Sequence, residues 1–92
     1  KETSGQFELF QNQPNPFDSK TTLSFNLDEA GQTTITVFDP NGAIIFQKVE
    51  WNSKGYHTLV LSSLEFNVPG TYYYQINTTS KSASRKMIFV RP

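Results

Sequence analysis

Short stretches of alternating apolar and polar residues, punctuated by Gly, Pro and Asn turn signals at intervals of roughly ten residues, constrain this 92-residue chain more than any other feature. Apolar residues at every second position turn one face of a strand inward and leave the other in water. Thr21–Leu27 is the clearest case, with Leu23, Phe25 and Leu27 on one face and Thr22, Ser24 and Asn26 on the other. Gln32–Phe38 is rich in β-branched residues, with Ile35 and Val37 as the inward pair. Tyr56–Leu61 sets His57, Leu59 and Leu61 on one face, and Thr71–Asn77 does the same for Tyr72, Tyr74 and Ile76. Phe7–Leu9, Ala43–Val49 and Ser84–Val90 bring the expected total to about seven strands. No window carries the helical period with caps, and Asp28–Gly31 reads as a loop.

The turns have identifiable chemistry. Asp39-Pro40-Asn41-Gly42 suits a type I turn, with Pro presetting φ at the second position, and reverses the chain into a hairpin. A second turn is expected at Asn52–Gly55. A third falls at Pro69-Gly70, where Gly70 takes the positive φ of a type II turn. In Gln13-Pro14-Asn15-Pro16 both prolines lack an N–H and push the residue before them to extended conformations. That stretch is a stiff, kinked edge segment, and its bend places Phe17 as a plug at one end of the core. The reading is an all-β protein, an immunoglobulin-like antiparallel β-sandwich of about seven strands. Residues 7–92 form the single domain, preceded by residues 1–6 as a linker remnant from a larger parent protein. The Cys-Trp-Cys core of antibody domains is absent, so the likeness is one of architecture.

Eight Phe, four Tyr and one Trp supply the core, and with no cysteine the fold stands on packing alone. A formal net charge of zero gives no global attraction to nucleic acid. No apolar run approaches the ~18 residues of a membrane span. Catalysis has little to stand on. His57 is the sole histidine, and it shares a face with Leu59 and Leu61, as a core or rim side chain does. No pair of carboxylates sits at an acid–base spacing, Asp39 is explained by its turn, and no Gly-rich phosphate loop occurs. Tyr72-Tyr73-Tyr74 suggests an aromatic carbohydrate platform, but strand alternation sends Tyr72 and Tyr74 opposite to Tyr73. Trp51, Tyr56 and Tyr73 are the candidates for an exposed aromatic surface. Asn77-Thr78-Thr79 fits the glycosylation tripeptide, a weak signal by itself.

One charge asymmetry remains. The last acidic residue is Glu65, and Lys81, Arg85, Lys86 and Arg91 follow it. The final strand, with Met87, Ile88, Phe89 and Val90, is thus a basic, half-apolar edge. Such an edge either blocks sheet-to-sheet aggregation or recognises an acidic partner, by adding that partner's strand to its own exposed backbone.

The chain from Leu9 onward resembles the type A C-terminal sorting domain of the bacterial type IX secretion system, also called the Por secretion system C-terminal domain. Leu9-Phe10-Gln11-Asn12-Gln13-Pro14-Asn15-Pro16-Phe17 is similar to the family's opening "L-x-Q-N-x-P-N-P-F", with Gln13 where an aromatic residue often stands. Thr21–Leu27 resembles its "T-x-I-x-F-x-L" strand, and Val37-Phe38-Asp39-Pro40-Asn41-Gly42 its "V-Y-D-x-x-G" hairpin. Gly55-Tyr56-His57 and Leu64 through Gly70-Thr71-Tyr72-Tyr73-Tyr74 look like the later "G-x-H" and "L-x-x-G-x-Y-x-Y" elements. Ser84-Arg85-Lys86-Met87-Ile88 looks like the closing "T-K-K-M-I", with Ser and Arg for Thr and Lys, and Arg91 and Pro92 follow it.

The resemblance implies a non-catalytic address, without cofactor or metal, carried in cis behind an N-terminal cargo domain. The parent passes through the periplasm to the cell surface or medium. It meets a shuttle, a translocon and a sortase-like protease that usually removes the domain. Pro14, Asn15, Pro16, Phe17, Asp39, Gly42, Gly55, Gly70, Tyr72 and Tyr74 match the motifs as structural residues. Lys81 and Arg85–Arg91 are the recognition candidates. The competing expectation is a carbohydrate-binding or spacer sandwich attached to an extracellular hydrolase.

Overall fold

The computed structural model describes residues 5–91. Seven strands follow in order: β1 (Glu8–Leu9), β2 (Lys20–Leu27), β3 (Gly31–Phe38), β4 (Ile44–Asn52), β5 (Gly55–Ser62), β6 (Gly70–Asn77) and β7 (Ser82–Phe89). A short 3₁₀ turn, Ser63–Glu65, separates β5 from β6. The strands form two antiparallel sheets, β1-β2-β5 and β4-β3-β6-β7. In a constant-type immunoglobulin domain the fourth strand joins the first, second and fifth. Here β4 pairs with β3 instead. The alternation seen in the sequence becomes this sandwich directly. Leu23, Phe25 and Leu27 of β2 meet Ile35 and Val37 of β3 and Tyr72, Tyr74 and Ile76 of β6, all buried. The exposed surface of 5424 Å² equals the roughly 5,400 Å² that area scaling gives for a folded chain of this mass.

The expected Asn52–Gly55 turn is present, as a corner between sheets, because β4 and β5 lie in different ones. Two other local expectations need correction. Pro69-Gly70 does not form a type II turn. Gly70 is already the first residue of β6, with φ 153°, far beyond the +80° that a type II turn requires. The strand ends shift as well: β4 runs on to Asn52, and β7 starts at Ser82 and stops at Phe89.

The β3–β4 hairpin closes as its residues dictate. Gly42 N–H donates to the Asp39 carbonyl at 2.9 Å, and the Asp39 carboxylate accepts from the Asn41 and Ala43 amides at 2.8 and 2.9 Å. Gly42 follows with φ 90°, and the register shifts one residue beyond Val37, the geometry of a turn with a glycine bulge. A Cβ at Gly42 meets no neighbouring atom, so Gly42→Ala carries backbone strain alone. The substitution is expected to cost about 1 kcal/mol in chemical denaturation; no loss would show that the turn relaxes to another form.

Candidate functional site

The segment from β1 to Phe17 crosses one open side of the sandwich as a strap. It begins on the three-stranded sheet, where Leu9 pairs with Phe25 and Gln13 bridges Thr22. Its prolines then carry it to the other sheet. There Phe17 N–H donates to the Ile88 carbonyl at 3.0 Å, and Val90 N–H donates back to Phe17 at 2.9 Å. Pro14, Asn15 and Pro16 are exposed, as an edge segment requires. Phe17 is 2% exposed, with its ring 5.1 Å from Phe66 and 5.3 Å from Phe89. The expectation of a core plug is met.

Beneath the strap lies a buried polar knot that sequence reading did not identify. Asn12 is 1% exposed. Its backbone N–H donates to the Tyr74 hydroxyl at 2.8 Å, and that hydroxyl donates to the Phe10 carbonyl at 2.7 Å. The Asn12 amide nitrogen donates to Thr21 Oγ1 at 2.9 Å, and Thr21 in turn to the Pro14 carbonyl at 2.9 Å. Burial pushes the Tyr74 phenol above its ordinary value of 10.0, against the opposing pull of the Asn12 N–H and Arg85. In the unfolded chain the phenol ionises first, so its contribution to stability is complete below pH 10.0 and falls as pH rises through the folded value. Denaturation midpoints followed upward from pH 9 are expected to drop more steeply for the native chain than for Tyr74→Phe; parallel curves would contradict this.

The recognition candidates on and beside β7 separate into distinct groups. Met87 and Phe89 are buried in the core and face no partner. Lys81 is not an unbalanced charge, because the fold brings Asp28 to it as an ion pair. That contact lowers the Asp28 pKa and raises that of Lys81. Arg91 donates to the Asn67 carbonyl at 3.2 Å. Arg85 Nε holds the Leu9 carbonyl of the strap at 2.7 Å. The Lys86 side chain is exposed and makes no hydrogen bond or ion pair among the described residues. Ile88 and Val90 are partly exposed.

The expectation of an open β7 edge also changes. Ile88 and Val90 turn their backbone toward the strap, so by alternation Ser84 and Lys86 do the same. Asn15 Oδ1 accepts from Ile88 N–H at 2.8 Å and Gln11 Nε2 donates to the Lys86 carbonyl at 2.7 Å. The strap therefore covers this edge from the Lys86 carbonyl to Val90. Among the described residues, Ser84 and the Lys86 N–H have no such cover. Beside them is a shallow depression lined by Gln11, Tyr73, Ser84, Arg85 and Lys86.

The remaining motif residues hold structure. The Tyr72 hydroxyl donates to the Val68 carbonyl at 2.6 Å and fixes the β6 approach. Gly55 opens β5 at φ 119°. His57 is a half-buried rim residue, its ring 5.5 Å from Phe25 and its Nε2–H donating to Ser53 at 2.7 Å. Gln6, in the expected linker, has its carbonyl held by Asn26 at 2.6 Å, while residues 1–4 and Pro92 lie outside the described residues. Tyr56 lies on the outer face of the three-stranded sheet against Phe10. Trp51 and Tyr73 lie on the outer face of the other sheet, so the three aromatics form no single platform. Among the described residues, no helix is long and apolar enough to cross a membrane.

Comparison with known proteins supplies the remaining finding. No curated protein matches the sequence at a significant level. A family model described as "secretion system C-terminal sorting domain" matches residues 13–90, from the bridge with Thr22 to the last hydrogen bond between β7 and the strap. The chain belongs to that family, the C-terminal sorting domains of type IX secretion.

Proposed function

We propose that this domain directs a larger cargo protein out of the periplasm through the type IX machinery, to the cell surface or medium, by recognition and without catalysis. The observation that carries the mechanism is the short uncovered stretch of β7 at Ser84–Lys86, flanked by Arg85 and Lys86 beside a shallow depression. An acidic extended segment of the machinery docks there by adding backbone hydrogen bonds to the edge, and the two cations set its register. The strap both braces the sandwich and limits the docking stretch to the half of β7 it leaves open. A sortase-like protease then removes the domain upstream of residue 7, in the linker that leads to the cargo.

The test is a fluorescent cargo with a periplasmic signal and this domain at its C-terminus, carrying Lys86→Glu alone or with Arg85→Glu. Folded fusion retained in the periplasm is the expected result, with the double change stronger than the single. Export at the native level, with the melting temperature unchanged, would remove β7 from the mechanism.

A further inference from the structure

On the opposite side of the sandwich no strap lies across the sheet among the described residues. There β4 is an edge strand of nine residues, without proline, and its register with β3 is unbroken from Phe46 to Asn52. Long, flat, apolar edges are templates for another strand. On its outer face Val49 is 52% and Trp51 66% exposed. Its inner face carries Phe46, Lys48, Glu50 and Asn52, opposite Val37, Ile35, Thr33 and Gly31 of β3. Lys48 and Glu50 make an ion pair at 3.4 Å along the strand.

We infer that β4 is a homodimer interface, in which two copies pair their β4 strands antiparallel about a two-fold axis centred on Val49. The charge pattern selects both the partner and the register. For the core faces of both copies to stay on the same side of a continuous sheet, paired residues must differ by an even number. With the axis at Val49, Lys48 lies opposite Glu50 of the second copy and Glu50 opposite its Lys48. Val49 then meets Val49, and Trp51 covers Gln47. Moving the axis to Lys48 sets two ammonium groups against each other, and moving it to Glu50 sets two carboxylates. Further shifts lose both charge pairs. The strand is thus complementary to itself in one register. The chain's net charge of zero offers no overall repulsion, and two-fold closure consumes the edge so that pairing stops at two. The inference rests on the β4 geometry and is independent of the sorting reading.

Sedimentation equilibrium on the 92-residue chain tests it. A reversible monomer–dimer equilibrium is expected. Lys48→Glu and Glu50→Lys should each weaken the dimer roughly tenfold or more, since each change sets two like-charged pairs face to face. Mixed one to one, the two variants should recover native affinity as a heterodimer, and the double variant K48E/E50K should dimerise alone. The double variant keeps the composition and serves where a single variant fails to fold. A native chain that stays monomeric, or a mixture no tighter than either variant alone, overturns the proposal.

Discussion

Replacing Phe17 by alanine is expected to lower the unfolding free energy by about 3–5 kcal/mol. The ring is almost wholly buried among Phe66 and Phe89, and Phe66 stands edge-on to Tyr72 with centroids 4.8 Å apart. Removing Phe17 leaves a cavity against the Phe66 and Phe89 rings of this aromatic group, and packed rings relax little to fill one. The same residue carries two backbone hydrogen bonds between the strap and β7. The loss is a large part of the roughly 5–15 kcal/mol that holds a domain of this kind together. Urea denaturation gives the value directly. A loss below about 1 kcal/mol would place Phe17 outside the core and remove the plug from this account.

The second large effect is expected at Tyr74, and its cause is polar. Tyr74→Phe keeps the ring and removes one hydroxyl, taking the acceptor from the buried Asn12 N–H and one donor from the Phe10 carbonyl. A buried N–H orphaned in this way costs about 1–3 kcal/mol and the lost hydrogen bond to Phe10 about 1 kcal/mol more, so about 2–4 kcal/mol is expected together. Tyr72→Phe is the matched control. Its hydroxyl serves only Val68, an exposed loop residue whose backbone water reaches, and about 1 kcal/mol is expected there. Equal losses at the two positions would mean that the knot under the strap does not bind the strap to β6.

The pattern of success and failure in reading the sequence follows from the reach of each force. Period-two alternation is local, so the sandwich, the Tyr72/Tyr73/Tyr74 split and the rim position of His57 were legible. The Asp39–Gly42 turn was legible for the same reason, because its hydrogen bonds close within five residues. Asn12 was not, since its partners Thr21 and Tyr74 are 9 and 62 residues away and polar residues are surface residues by default. The Asp28–Lys81 ion pair spans 53 residues, which is why Lys81 looked unbalanced. The β7 edge looked open because nothing in a strand's own sequence says what will lie across it. Proline chemistry marked residues 14–17 as edge-bound without saying which edge, and the structure answers with both sheets. The type II turn at Gly70 failed on a finer point: Pro-Gly fixes the sign of φ, while the neighbouring strand pair fixes its value.

The most direct test of the central claim is export itself. A fluorescent protein with a periplasmic signal, carrying residues 1–92 at its C-terminus, is expressed in a bacterium with an active type IX system and in a secretion-deficient strain. Fluorescence at the surface or in the medium of the first strain, and confined to the periplasm in the second, is the expected result. Folded fusion held in the periplasm of both strains would contradict the sorting role.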